Sequence, residues 1–324
     1  MKKFFIISLV WLILVGRLAA DDFFKEYTVY ETPFYLGGYL STEYIKGDRQ
    51  EAFLFDDIAF LAYAEGARWD FVAELEAKNI YIEQSRPTDM QSSNLNFSIE
   101  RLNLTYYIDD ANTIRIGKFN TPVGFWNLTP INVLRETTSN PYIIDNTFPK
   151  LTSGLCYRRS INQNYDLLYI VLQNNDEIDS SYNNFNIKQH YSATLEIEKE
   201  IIYKGSVGYF KEREGSNSVY ALAALRYDLF NHTFTLEAST RRKDSKTVVP
   251  YDIYFQYVWN FAEKYFLIGR IERYRTEYSK KLEEAIGVAG LTYRPAPNVA
   301  IKAEYDRYSF EKRDKILFSF SFIF

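Results

Sequence analysis

The sequence predicts an all-β protein: a transmembrane antiparallel β-barrel of about sixteen strands, within about fourteen to eighteen. Three observations carry this. Apolar residues recur at every second position through most of the chain. The connections between these segments alternate between tight and long. The last residues, Lys315 to Phe324, alternate Phe with small polar residues and end on Phe324.

Elements follow in chain order. Met1-Lys2-Lys3 is a short positive stretch and Phe4 to Gly16 is apolar. Ala19-Ala20 then precede Asp21-Asp22. This is the pattern of a secretory signal peptide cleaved after Ala20. It divides the chain into 1–20, a signal peptide, and 21–324, the barrel. No Cys lies near the cleavage point, which excludes a lipoprotein.

Alternation marks sixteen segments: 34–46, 54–65, 68–80, 96–108, 112–119, 151–159, 164–173, 189–199, 202–211, 217–228, 231–241, 250–261, 264–275, 284–294, 298–309 and 315–324. Tyr251, Ile253, Phe255, Tyr257, Trp259 and Phe261 share one face, and Asp252, Gln256 and Asn260 the other. Many segments are about 10–12 residues long, which suits a tilted strand crossing a bilayer. Segments 54–65, 164–173 and 284–294 alternate poorly. In 96–108 the apolar phase slips between Ile99 and Leu102, which predicts a β-bulge near Glu100-Arg101.

Every second join is tight, as at Gly66-Ala67, Glu200-Ile201 and Ala262-Glu263. The others are expected to be longer and polar, as at Tyr81 to Leu95, Asn174 to Lys188 and Thr276 to Glu283. Short periplasmic turns and longer outer loops are the barrel pattern. In the last strand Ile316, Phe318, Phe320, Phe322 and Phe324 share one face. Phe320, Phe322 and Phe324 resemble the signal strand read by the outer-membrane assembly machinery.

Composition narrows the classes. Tyr (28) and Phe (25) are abundant, and the formal net charge is −4. Mean hydropathy is −0.30. Beyond the N-terminus no run reaches the ~18 apolar residues of a membrane helix, which excludes a polytopic helical protein. One cysteine, Cys156, excludes a disulfide scaffold and a Cys-based metal site. The charge balance argues against a nucleic-acid partner. No cofactor or metal motif is present, and no catalytic residue is assigned.

Residues 120–150 break the alternation and hold Pro122, Pro130, Pro141 and Pro149. Prolines exclude a continuous strand. Phe125, Trp126, Leu128, Ile131, Val133, Leu134, Ile143 and Ile144 make the segment too apolar for an exposed loop. As the third outer loop it is expected to fold into the lumen, constricting or plugging it.

The passage Ile116-Gly117-Lys118-Phe119-Asn120-Thr121-Pro122-Val123-Gly124 resembles the strand-to-loop passage of porins related to the phosphate-selective porins. The resemblance covers this passage and the layout of signal, barrel and terminal Phe. It implies a sixteen-stranded, commonly trimeric barrel with a pore in each subunit. In that family stacked Arg and Lys along the pore select phosphate, and this sequence departs from that pattern. On the polar strand faces the acids are Asp70, Glu74, Glu76, Glu100, Asp166, Glu196, Glu198, Asp228, Glu237, Asp252, Glu272, Glu304 and Asp306. The bases there are Lys78, Arg101, Arg115, Arg158, Lys204, Arg226, Arg241, Arg270 and Lys302.

Thirteen acids against nine bases favour cations. The candidate lumen charges are Glu74, Glu76, Glu196, Glu198, Arg226, Arg270, Glu272, Lys302 and Glu304. The candidate constriction residues are Arg115, Arg135, Glu136 and Arg158, where a local basic patch or two facing rows of opposite sign are both open. Each charge either lines the pore or braces the wall by pairing across strands. Lys118 shares the parity of Ile114 and Ile116 and is expected to snorkel at the membrane rim.

The expected function is a bacterial outer-membrane porin, passing small hydrophilic solutes and ions passively, weakly cation-leaning or unselective. An anion- or phosphate-selective porin and a closed structural or adhesive barrel are the alternatives. Expected partners are membrane lipids, lipopolysaccharide, the assembly machinery and, as a homotrimer, further copies of the chain. Hydrolase chemistry needs a His within reach of a Ser or Asp. His232 falls beside a tight turn. His190, near Asp176, Asp179 and Ser180-Ser181, is expected to be solvated polar surface. Cys156 reads as structural filler. Asp21 to Pro33 is too short for a plug domain.

Overall fold

The structure, a computed structural model, describes residues 25–29, 32–86, 90–93, 95–162, 166–277, 281–311 and 313–324. The expected signal peptide, 1–20, lies outside the described residues. Eighteen strands join in one antiparallel sheet. They are β1 (Lys25–Val29), β2 (Thr32–Gly47), β3 (Glu51–Gly66), β4 (Trp69–Arg86), β5 (Met90–Ser92), β6 (Asn96–Tyr107), β7 (Asn112–Asn120), β8 (Leu151–Ser160) and β9 (Leu167–Gln173). There follow β10 (Ile187–Glu198), β11 (Ile201–Glu212), β12 (Asn217–Leu229), β13 (His232–Lys243), β14 (Lys246–Ala262), β15 (Tyr265–Glu277), β16 (Lys281–Tyr293), β17 (Val299–Tyr308) and β18 (Lys315–Ile323).

Setting aside the short β1 and β5 leaves a ring of sixteen, each pairing with its chain neighbour. β18 closes the ring on β2, from Lys315↔Gly47 to Ile323↔Tyr39. Phe324 and Gly38 then exchange both backbone hydrogen bonds, at 2.8 and 2.9 Å. Where β18 leaves β2, β1 takes over the same edge, from Lys25↔Leu36 to Val29↔Thr32. The edge of β2 is therefore covered beyond the barrel seam.

All sixteen expected strands are present. The largest boundary difference is at β4, which runs to Arg86 because residues 81–86 stay paired with β3. Two of the expected long outer loops are correspondingly shortened. Tyr81 to Leu95 is mostly taken up by the end of β4 and by β5, and Thr276 to Glu283 by β15 and β16. The 174–186 loop and the 121–150 segment remain long. The expected bulge is found: Glu74 pairs with Arg101 but Leu75 pairs with Ile99, so Glu100 is the extra residue. A second bulge in β3 makes Asp56 extra against β2, between Thr42↔Phe55 and Ser41↔Asp57. Asp244 (φ 45°) and Ser245 (φ 68°) form the tight β13–β14 hairpin, the two positive φ values that a type I′ turn requires.

The two strand faces differ as the alternation implies. Phe60, Leu75, Ile116, Val207, Ile271 and Phe318 point outward and are about half exposed or more. Glu74, Glu237, Arg241, Asp252, Arg270 and Lys302 point inward and are buried. At the short-turn end of β12–β16 the outward residues become a contiguous aromatic band. Tyr227–Phe234, Phe234–Tyr257, His232–Trp259, Trp259–Phe261, Phe261–Tyr265 and Tyr265–Tyr293 have ring centroids 4.7–6.3 Å apart. Amphipathic rings of this kind settle where hydrocarbon meets water.

Facing is testable in a Cys156→Ser background. A fluorophore on Val207→Cys is expected to be quenched by nitroxide-labelled lipid, and one on the neighbouring Ser206→Cys by a water-soluble quencher. The same quenching from both positions would contradict the assigned faces.

Candidate functional site

The inward faces of β11–β17 anchor the 121–150 segment. Its elements are short: 3-10 turns at Trp126–Leu128 and Asn132–Leu134, and one helical turn at Tyr142–Asn146. Its prolines prevent a ladder, so its backbone groups are satisfied by wall side chains instead. Glu237 on β13 accepts from the backbone N–H groups of Phe125 (2.7 Å) and Trp126 (3.1 Å), and from the Tyr254 hydroxyl (2.9 Å). Glu304 on β17 accepts from the N–H groups of Thr138 (2.9 Å) and Ser139 (3.2 Å). Glu272 on β15 accepts from Tyr142 N–H (3.0 Å).

Cations hold the segment's carbonyls. Lys204 donates to Gly124 O (3.1 Å), Lys302 to Asn132 O (2.5 Å) and Thr137 O (3.2 Å), and Arg294 to Arg135 O (3.0 Å). Gly124 must be glycine on two counts. Its φ is +66°, and a Cβ there would run into the Glu237 carboxylate. Apolar packing adds to this: Val123, Trp126, Ile143, Ile144 and Phe148 form one buried cluster with Phe210, Tyr220, Leu222 and Tyr254.

On the other side the segment stands off from the wall. A cavity of about 240 Å³ lies between it and β2, β3, β4 and β6. Glu43, Asp56, Asp57, Glu76 and Glu100 line it, with Tyr39, Ser41 and Lys78. Arg135 and Lys150 face them from the segment side, and Tyr182 from the 174–186 loop. Asp56 and Glu100 are the two bulge residues. Strict alternation gives one inward side chain every two residues, and a bulge re-aims one more. Arg101 pairs with Glu74 beside this wall, and Lys78 lies 3.7 Å from Glu76 and 3.8 Å over the Tyr182 ring.

A second cavity, of about 210 Å³, lies on the turn side, between the segment's Pro122 and Leu128 and the strands β6–β9. Arg115 and Arg158 are its charged lining residues, beside Thr105, Thr113, Cys156 and Tyr169. Arg115 bonds Thr105 Oγ1 at 3.1 Å. Asn120 lines both cavities.

The sequence-predicted residues therefore separate. Arg115 and Arg158 share one cavity and Arg135 lines the other. Arg135 is fixed to Thr129 O (2.7 Å), Asn140 (2.6 Å) and Pro130 O. The carbonyl of Glu136 accepts from Thr292 (2.5 Å). Of the lumen charges, Arg270, Glu272, Lys302 and Glu304 lie buried under the segment. Arg270 and Glu272 pair at 2.6 Å. Glu196 pairs with Lys204 at 2.7 Å and Arg226 with Asp228 at 2.9 Å, and Glu198 is exposed at the end of β10. Glu76 is buried in the acidic wall and Glu74 is buried beside it, paired with Arg101. Of the terminal phenylalanines, Phe318 and Phe324 are exposed and Phe322 is covered, its ring 5.9 Å from that of Phe324.

Two expectations are corrected. Lys118 does not snorkel to a rim: it is fully buried, donating to Ile99 O (2.6 Å) and Asp179 O (2.5 Å). The bulge at Glu100 and the 174–186 loop bring those carbonyls over it. His190 is not solvated surface. It is fully buried, with Nδ1 2.9 Å from Thr152 Oγ1 and Nε2 3.0 Å from the Tyr220 hydroxyl. The apolar Phe210–Tyr220 cluster covers it, which its polar sequence neighbours do not reveal. Cys156 is free and buried, packed with Phe119 and Val171. The 174–186 loop itself was missed as part of the site. Its asparagines are the signal: Asn184 holds Ile144 O (3.0 Å) and Phe148 O (2.8 Å), and Asn183 holds Leu151 O (2.8 Å).

A closed sixteen-stranded barrel with charged inward and apolar outward faces has the architecture of the outer-membrane porins. Solved structures agree on the fold. OmpF of Salmonella typhi, in complex with daunomycin, superposes with TM-score 0.65 at 13% identity, covering 93% of this chain and 100% of that one. The outer membrane channel DcaP of Acinetobacter baumannii gives 0.65 at 8% identity, over 92% and 99%. An anion-selective porin from Comamonas acidovorans gives 0.65 at 8% identity, over 91% and 100%. Identities this low show the fold alone. No protein-family model matches the sequence, and no curated protein matches it.

Glu237→Ala strips two backbone N–H groups and a tyrosine of their acceptor, and a hydrogen bond to a charged group is worth about 1.5–3 kcal/mol. Proteolytic cleavage within 121–150 is expected to rise at least about tenfold, equivalent to about 1.4 kcal/mol. Gly124→Ala should do the same, by collision with the same carboxylate. Unchanged cleavage in both variants would show that this anchor is not what holds the segment.

Proposed function

We propose that the chain is a bacterial outer-membrane porin through which small hydrophilic solutes and ions diffuse, with a preference for cations. In this reading residues 1–20 are a signal peptide and the 121–150 segment is folded into the lumen as its constriction. The observation that carries the preference is the acidic wall of the 240 Å³ cavity: Glu43, Asp56, Asp57, Glu76 and Glu100 opposite Arg135 and Lys150. An ion passing between the segment and β2–β6 meets this wall. Carboxylate-lined constrictions draw cations and slow anions. The hydrogen bonds to Glu237, Glu272 and Glu304 support a segment that narrows the opening while leaving this side free.

A second reading rests on the other cavity. Arg115 and Arg158 are its charged residues, and their forked donors suit phosphate or carboxylate. A solute path whose selectivity is set there would prefer anions, in line with the resemblance around Gly117-Lys118-Phe119.

Reversal potential in a salt gradient, measured on the refolded chain in a planar bilayer, separates the readings. A cation-directed potential is expected. Asp57→Asn with Glu76→Gln should reduce it, since a unit charge about 8 Å away is worth about 0.5 kcal/mol in water, roughly a twofold change in local ion concentration. An anion-directed potential abolished by Arg115→Ala with Arg158→Ala would favour the second reading. A folded barrel that never conducts would overturn both and leave a closed barrel.

A further inference from the structure

We propose that the outer surface over β14–β17 is a binding site for a phosphorylated, acylated lipid of the outer leaflet, taken as lipopolysaccharide. The site rests on the outer-membrane reading above and adds a ligand and its residues to it. An outward groove of about 500 Å³ runs along β16. Ala285 and Gly287 form its floor, and Ile253, Phe255 and Ile271 one wall. Two arginines, Arg273 on β15 and Arg307 on β17, flank it.

The strand register fixes this arrangement. Arg273 pairs with Ala285 and Ile271 with Gly287, while Gly287 pairs on its other side with Arg307. The small residues of β16 therefore leave a trench between larger neighbours. Its width is about two strand spacings, roughly 10 Å. That accommodates an acyl chain, with both guanidinium groups able to reach over it.

Depth argues for a headgroup at the arginines. Tyr265 belongs to the aromatic band at the short-turn end, and Arg273 lies eight residues further along the same strand. At ~3.3 Å per residue and ~40° of tilt that is about 20 Å, close to the ~25 Å height of a barrel's apolar band. Both arginines thus stand at the opposite rim of the hydrocarbon. A cation facing lipid is costly unless it meets water or an anion. Arg273 is partly answered by Glu283, at 2.8 Å. Arg307 is exposed and has no acid partner among the described residues. A phosphate supplies the missing anion, and its acyl chain covers the exposed Ile271 and Phe255 below. The outward groove over β9–β13, floored by Ala193, Gly205 and Ala221, has no charged residue in its lining. It offers the apolar half of such a site without the headgroup half.

The test is native mass spectrometry of the full chain, folded and exposed to diphosphoryl lipid A, dephosphorylated lipid A or phosphatidylglycerol. Wild type is expected to retain diphosphoryl lipid A preferentially. Arg273→Gln with Arg307→Gln should reduce its retention at least about fivefold while sparing the dephosphorylated lipid. Gly287→Phe should reduce both, because there is open space above Gly287 for the ring to occupy. Channel conductance, measured alongside, should be unchanged in every variant. Equal retention by wild type and variants that fold and conduct overturns the site alone. A chain that never enters a lipid bilayer overturns the outer-membrane reading and the site with it.

Discussion

Backbone pairing is the constraint on which the whole structure depends. A sheet surrounded by hydrocarbon has no water to satisfy an open edge, so its last strand must find its first. Here β18 meets β2 over nearly its whole length, and the Gly38–Phe324 exchange finishes the seam. β1 then continues along the same edge of β2. Closure at sixteen strands fixes the next problem. A ring that size encloses more volume than its own inward side chains fill. On one side Trp126, Ile143, Ile144 and Phe148 of the 121–150 segment pack against side chains of β11–β14. The other side is left to polar cavities.

The strands were legible because a bilayer enforces a period of two more strictly than water does. An outward residue must be apolar along the full crossing, so Tyr251 to Phe261 could be read directly. The slip at Glu100 was legible for the same reason, since a bulge shifts the apolar phase. The bulge at Asp56 was hidden in a strand whose inward side chains include Ala52 and Ala59, so both parities look apolar. The long outer joins were misjudged where strands continue past the expected bilayer edge. There Ile80 and Ile82 are followed by charge, and pairing with β3 and β5 keeps the chain extended.

Site residues were harder to read because parity gives direction and not accessibility. Arg270, Glu272, Lys302 and Glu304 do face inward, yet the segment covers them. Their role follows from what the segment lacks. Interrupted by four prolines, it makes only short turns of its own, which leave many of its backbone groups for other partners. Carboxylates on β13, β15 and β17 accept its N–H groups, and lysines on β11 and β17 take its carbonyls. A census of inward charges therefore counts braces together with free groups. His190 and Lys118 were misread for a related reason: each is buried by elements distant in sequence.

Once the bracing charges are set aside, the remaining acidity is concentrated on β2–β6. Regular alternation alone would not concentrate it so. Asp56 and Asp57 are adjacent in sequence yet line the same cavity, and Glu100 joins Glu76 there from the neighbouring strand. Each bulge costs the ladder a regular pair and redirects one carboxylate inward. Like charges gathered this closely repel, and the bases around them limit that cost: Arg101 on Glu74, Lys78 near Glu76, and Arg135 across the cavity. Arg135 is itself held by Thr129, Pro130 and Asn140 of its own segment, not by a wall carboxylate. Its charge is therefore turned toward the acids while its hydrogen bonds are met locally. The same segment that packs against β11–β14 carries Arg135 opposite these acids, so its position and the field in the cavity cannot change independently.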